Sequence, residues 1–233
     1  MKLLRFLLDA IFPISCLSCK TNGTYLCAAC IKQIPRETGI LYSSNSIPSF
    51  SMTKKSPRPY GGGFCGIIPT VSYKNTVAQK AIHLLKYSRI RALAKPLGEL
   101  LGERVTQFIR ANPKNWLIVP VPLHARKLRS RGFNQNDLLA EAAFAGSNIS
   151  LAIKKQNPLK RIRDTKSQTE LNGTKRLLNV KNSFAVTNIG AIQGRSIILI
   201  DDVATTGATI LSAGNALIDG GASEVWEAVV ARD

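Results

Sequence analysis

The run Ile197-Ile-Leu-Ile-Asp201-Asp202-Val-Ala-Thr205-Thr206-Gly207-Ala208-Thr209 constrains this chain more than any other segment. Its four apolar residues read as a buried strand, which delivers two carboxylates to its exposed end. Adjacent acids do not tolerate burial without partners. A Thr/Gly-rich loop follows and opens a helix predicted over Ala208–Asp219. Free N–H groups at the helix start, together with three hydroxyls, form a cradle for a phosphate, and Gly207 lets the backbone approach it closely. The acid pair suits a ribose diol, whose hydroxyls donate to it, and biases a Mg²⁺ toward the same place. The bland alternative has Asp201 and Asp202 merely capping the strand and Thr209 capping the helix.

The surrounding pattern supplies a fold for that loop. Val77, Ala81, Leu84 and Leu85, then Leu93, Leu97, Leu100, Leu101, Val105 and Phe108, recur at helical spacing and predict two core-packed helices from Thr76 onward. Trp116 to Pro122 reads as a buried strand ending in a proline-fixed turn, followed by a helix over Asn136 to Ala145. Ser183 to Val186, Ser196 to Ile200 and Glu224 to Val230 read as further strands. Strands alternating with helices imply an α/β domain with a mostly parallel sheet, whose ligand sits at the carboxyl ends of its strands.

The N-terminal part is of another kind. Cys16-Leu-Ser-Cys19 and Cys27-Ala-Ala-Cys30 form two CxxC knuckles seven residues apart, with Asn22-Gly23 as a turn between them. Structural zinc explains the array best, because four thiolates complete a closed tetrahedron with no open ligand position. Two disulfides, or an iron–sulfur or redox dithiol site, are the competing readings. Leu4, Leu7, Leu8 and Ile11 predict a short amphipathic helix before the array, and Cys65 reads as a buried free thiol. Residues 38–63, rich in Ser, Pro, Gly and Lys, read as a linker; Lys54, Lys55, Arg58, Tyr60 and Phe64 could also grip single-stranded nucleic acid. The expected organisation is 1–37, helix plus four-cysteine zinc module; 38–63, linker; and 64–233, main domain.

The formal charge of +18 makes polyanions the first partners to consider. It is segregated: residues 1–190 carry 30 of the 32 basic side chains, whereas residues 191–233 carry 2 basic and 6 acidic ones. A merely basic surface is the plain alternative. At 233 residues with 45% hydrophobic content the chain is neither disordered nor a disulfide miniprotein. Arg5 and Asp9 interrupt the most apolar stretch, so no integral membrane segment is expected and the cytoplasm is the default location.

The thirteen-residue run Ile197 to Thr209 resembles the phosphoribosyl-pyrophosphate (PRPP) loop of the type I phosphoribosyltransferases. Together with the cysteine array, Pro120-Val-Pro122, Arg131-Gly-Phe-Asn134-Gln135, and Arg163-x-Thr165-x-x-Gln168 with Arg176 and Asn179, the chain resembles the ComF (ComFC-like) family. The resemblance implies a type I phosphoribosyltransferase-like, mostly parallel sheet flanked by helices, with a small N-terminal zinc module. It implies that Asp201 and Asp202 contact the ribose hydroxyls while Ala204, Thr205, Thr206, Gly207, Ala208 and Thr209 hold the 5′-phosphate. Val121 and Pro122 would belong to the pyrophosphate loop, and Arg131, Arg163 and Lys166 are candidates for it and for the flexible loop. Pyrophosphate departure needs charge neutralisation, which Mg²⁺ and such cations can supply. The family is associated with natural transformation, the uptake of single-stranded DNA. Arg126, Arg129 and Arg131 are the nucleic-acid candidates.

His83 and His124 are isolated, and no general acid, general base or base-recognition element is legible in the sequence. Three functions follow. The first is a PRPP-binding protein of DNA uptake, whose sugar-phosphate site acts as a regulatory or vestigially catalytic sensor while the basic surface tracks single-stranded DNA. The second is a metabolic phosphoribosyltransferase acting on a base or amine. The third is a zinc-stabilised adaptor whose site is spent and whose partners are proteins such as a helicase of the uptake machinery. With 6% aromatic residues, DNA contact should be mainly electrostatic.

Overall fold

The computed structural model describes residues 14–42, 64–163, 183–205 and 207–233; the expected helix at Leu4 to Ile11 and the basic stretch at Lys54 to Tyr60 lie outside them. In chain order the elements are α1 (Ala28–Gln33), β1 (Leu41–Tyr42), β2 (Phe64–Ser72), α2 (Thr76–Tyr87), α3 (Ala94–Ala111), β3 (Trp116–Pro120), α4 (Ala125–Arg131) and α5 (Gln135–Ala143). There follow β4 (Ser150–Leu151), β5 (Leu159–Arg161), β6 (Phe184–Val186), β7 (Ser196–Ala204), α6 (Ala208–Asp219) and β8 (Glu224–Arg232).

Six strands form one sheet in the order β1-β2-β8-β7-β3-β4. All neighbours run parallel except β1, which pairs antiparallel with β2 at the edge. Parallel strands are covered on both faces, which is why β3, β7 and β8 are continuous apolar runs rather than alternating ones. Ile118, Ile198, Ile200, Ala228 and Val230 face the layer of α2, α3 and α5. Leu117, Ile197, Leu199, Val225 and Val229 face the opposite layer, which contains α6. Cys16, Leu26, Cys30 and Ile34 join the first of these cores, so the cysteine module packs directly on the main domain. Arg104 of α3 secures the connection by donating from Nη2 to Thr38 O (2.8 Å) and Gly39 O (2.7 Å).

Helices α3 and α5 approach more closely than ordinary side chains allow. A Cβ on Gly98 would lie 2.7 Å from Leu139 O, and one on Gly102 would lie 2.3 Å from Ala143 O. These two glycines, one helical turn apart, let α5 sit low on the sheet with its first turn beside the end of β7.

Several elements differ from the sequence expectation. Strand β2 has no counterpart in the sequence expectation, which assigns no element between residue 64 and Thr76. Gly66 sits at a bulge against β8, where a Cβ would lie 2.1 Å from Leu41 O. Strand β6 pairs with β5 in a separate two-stranded ribbon rather than joining the main sheet. Strand β7 runs on through the acid pair to Ala204, and β8 reaches Arg232.

Candidate functional site

Because side chains alternate along a strand, the two acids of β7 leave it on opposite faces. Asp202 shares the side of Ile198 and Ile200 and meets α2 and α5. Its Oδ1 lies 2.7 Å from Lys86 Nζ, and its Oδ2 accepts from Gln135 Nε2 at 2.8 Å. Asp201 Oδ1 accepts from Asn136 Nδ2 and from the Asp202 N–H, both at 2.9 Å. Asn136 Nδ2 also donates to Val121 O (3.0 Å), as does Asn134 Nδ2 (3.2 Å), so the start of α5 clamps the turn after β3 to the acid pair. Arg131 extends the network by donating to Gln135 Oε1, with its guanidinium 5.8 Å from the Tyr87 ring centre.

Burial, and then the charge of Asp202, push Asp201 up to about 6, against the pull of Lys86. Burial works against the Lys86 charge as well, but Asp202 and Asp201 more than offset it and raise its pKa. The acids are therefore held in place and under mutual repulsion, and hydroxyl donors or a cation would relieve it.

Directly after the pair the chain turns into α6 through Gly207, at φ 71° and ψ 0°. That left-handed conformation favours glycine, and Gly207 forms the N-cap with no side-chain cap hydrogen bond on the helix. Thr205, Gly207 and Thr209 line a small hollow with Asp201 and Glu227; Thr206 and the side chain of Ala208 lie outside the described residues. Glu227 is 2% exposed, its Oε2 meets no partner among the described residues, and burial, then Asp201 and Asp202, raise its pKa well above the ordinary value. Beside this hollow a cleft of 150 Å³ is lined by Lys86, Val121, Pro122, Lys127, Arg131, Arg161, Asp201, Asp202 and Thr209.

The structure thus brings Val121, Pro122, Arg131, Asp201, Asp202 and Thr209 to one cleft. Arg163 is exposed beyond β5; Lys166, Thr165, Gln168, Arg176 and Asn179 lie outside the described residues. Arg126 and Arg129 are exposed on α4 and do not line the cleft. His124 caps α4 through Nδ1, which accepts from Arg126 N at 3.4 Å. Cys65 is half-buried rather than buried, with Sγ 3.8 Å from Glu224 Oε2. Sequence reasoning missed Lys86, Lys127, Asn136 and Glu227. Only Glu227 carried a signal, as a lone acid inside the apolar strand Val225 to Val230.

At the other end, Cys16, Cys19, Cys27 and Cys30 place their Sγ atoms within 4.8 Å of one another, with Cys19 and Cys27 at 3.6 Å. A tetrahedral ion with sulfur at ~2.3 Å requires sulfur separations of about 3.8 Å, so the four thiols fit a zinc ion. Burial opposes ionisation of Cys16, but N–H groups of Cys27, Cys19 and Ser18 outweigh it and bring the thiol down to about 6.

Comparison with known proteins agrees with this geometry. Residues 136–233 match the phosphoribosyl transferase domain, which takes in α5, the acid pair, the phosphate loop and β8. The C-terminal part of the chain is therefore similar to a phosphoribosyl transferase domain, and the sheet that carries it is mostly parallel. The chain is homologous to the DNA utilization protein YhgH of Salmonella typhi, at 34% identity over 149 residues, covering 62% of this chain and 63% of that protein. It is likewise homologous to the competence protein ComFC of Bacillus subtilis, at 37% identity over 134 residues (57% and 51%). Competence protein F of Haemophilus influenzae is 35% identical over 94 residues, 40% of each chain. The matched region thus spans less than two thirds of these relatives.

Lys86→Met leaves the buried Asp202 with Gln135 alone, and removal of one partner of such a pair costs ~3–5 kcal/mol. Thermal melting should show a large fall for Lys86→Met and recovery of most of it in Lys86→Met with Asp202→Asn. A double variant no more stable than the single one would remove the ion pair from this account.

Proposed function

We propose that this chain binds PRPP with Mg²⁺ and acts in natural transformation, in the uptake or handling of single-stranded DNA. The observation that carries the PRPP reading is the juxtaposition of Asp201 and Asp202, already supplied with partners by α2 and α5, with the Gly207-led start of α6. In this reading the pair accepts from the ribose hydroxyls. Ala204 to Thr209 cradles the 5′-phosphate through backbone N–H groups and the threonine hydroxyls. Val121 and Pro122, with Arg131, Lys127 and Arg161 around them, face the pyrophosphate; Arg163 and Lys166 are the flexible-loop candidates. Mg²⁺, when bound, supplies charge neutralisation at the diphosphate. Among the described residues the cleft presents no histidine and no carboxylate besides Asp201 and Asp202, so the acceptor of a transfer step is not specified.

The DNA reading is supported by the basic surplus ahead of residue 191, by Arg126 and Arg129 exposed on α4, and by the names of the competence and DNA-utilization relatives. A helicase of the uptake machinery is the expected protein partner, and the cytoplasm the expected location; no helix among the described residues is long and apolar enough to cross a membrane. Zinc is assigned to the four-cysteine module as a structural ion, with 38–63, which contributes β1 to the edge of the sheet, linking that module to a main domain over 64–233.

Calorimetry should detect Mg²⁺-dependent PRPP binding, weakened at least ~100-fold by Asp201→Asn with Asp202→Asn, since two hydrogen bonds to charged groups worth about 1.5–3 kcal/mol each are lost. Unchanged affinity would refute the site. Binding of single-stranded DNA should fall with salt, with a logarithmic slope of about 0.7 per phosphate contacted. Absence of salt-sensitive binding, with pyrophosphate released on addition of a defined base, would instead favour a metabolic transferase. Metal analysis should find one zinc per chain, lost together with thermal stability in Cys16→Ser with Cys27→Ser; a zinc-free protein that melts normally would overturn the zinc assignment.

A further inference from the structure

A second cavity, far larger than the acidic cleft, opens on the other side of the turn after β3. It measures 680 Å³, within the range of small-molecule sites, and shares Pro122, Leu123 and Arg161 with the cleft. Its body is apolar, formed by Pro122, Leu123, Leu128, Phe133, Leu138 and Leu159. Leu128 is 42% exposed although it lies on a helix flanked by arginines, so α4 holds an apolar side chain at the mouth.

The rim is cationic. Arg91 lies with its guanidinium 4.7 Å from the Phe133 ring centre, and Lys155 and Lys160 stand exposed at the edge. Lys154 is paired with Glu141 at 2.6 Å, but no ion pair engages Lys155 or Lys160 among the described residues. Inside, Asp137 is the single acid. Its Oδ1 accepts from Asn134 Nδ2 at 3.1 Å, while Oδ2 has no hydrogen-bond donor among the described residues. The other amide in the wall, Asn157, is already committed to Pro120 O and to the Leu159 N–H.

These features define the ligand chemistry: a flat, largely apolar body bearing an N–H donor for Asp137 and linked to anionic groups that reach the lysine rim. A nucleotide unit has that arrangement, with its base inside and its phosphates outside. We propose that this cavity takes a base of bound single-stranded DNA, with the adjoining phosphates on Lys155 and Lys160, an inference that rests on the DNA reading above. The strand would then pass beside the turn that also walls the ribose cleft, which makes the two sites neighbours.

Fluorescence anisotropy with the full chain tests this, using a mixed-sequence single-stranded oligonucleotide and an abasic oligomer of the same length. Insertion of a base predicts the intact strand to bind about 5- to 100-fold tighter than the abasic one, the range expected for a base held against apolar or aromatic side chains. Leu128→Trp, which fills the mouth, should erase that difference while leaving the salt slope unchanged. Lys155→Ala with Lys160→Ala should lower the slope for the intact strand by about 1.4 and keep the preference over the abasic strand. Equal binding of both oligomers overturns the base site while the DNA reading stands, and absence of binding to either overturns both. A preference that survives in a folded Leu128→Trp protein places the base elsewhere and also overturns it. Deoxyadenosine monophosphate binding as tightly as the strand overturns DNA as the source of the nucleotide.

Discussion

The ion pair between Lys86 and Asp202 is the contact on which the geometry of the candidate site depends. Asp201 and Asp202 are consecutive on a central parallel strand, where unpaired carboxylates would be costly to bury. Lys86 comes from the last turn of α2, and Gln135 and Asn136 come from the first turn of α5, so each acid is held by an element remote in sequence. Helix α5 can reach the strand end because α3, its neighbour on the same face of the sheet, gives way at Gly98 and Gly102. Helix packing on one face thereby sets the position of carboxylates whose proposed ligand enters at the strand ends.

The opposite face contributes a different quality. There α6 starts from a left-handed glycine at the strand end, and Glu227 lies buried one strand away with an oxygen unmatched among the described residues. Burial and the two neighbouring acids disfavour the charged form of Glu227 and raise its pKa. Its carboxyl group keeps the hollow behind the loop polar, while the cations Lys127, Arg131 and Arg161 line the cleft together with the acid pair. The cleft thus brings two acids and several cations together, the charges that the proposed ligand requires.

Much of this was legible in the sequence because it is local. The strand, acid pair and helix of Ile197 to Asp219 are contiguous, and so are the two cysteine knuckles, which the fold brings into one cluster. Helices α2 and α3 follow from apolar spacing alone. What escaped is what depends on contact between distant segments. Lys86 looks like any surface lysine at a helix end until α2 meets β7. Asn136 gains its meaning from Val121 and Asp201. Strand β2, which carries Gly66 and Pro69, takes its place from pairing with β8, more than 150 residues away in the chain. The wide apolar cavity draws residues from α4, α5, β5 and the loops between, and no periodicity marks such a gathering.

The most direct measurement is a crystal structure of the chain with PRPP and Mg²⁺. The account predicts the ribose hydroxyls on the carboxylates of Asp201 and Asp202, the 5′-phosphate on the N–H groups at the start of α6, and the Lys86–Asp202 pair intact. A ligand seated away from the acid pair, or one that binds only after Lys86 has left Asp202, would contradict it.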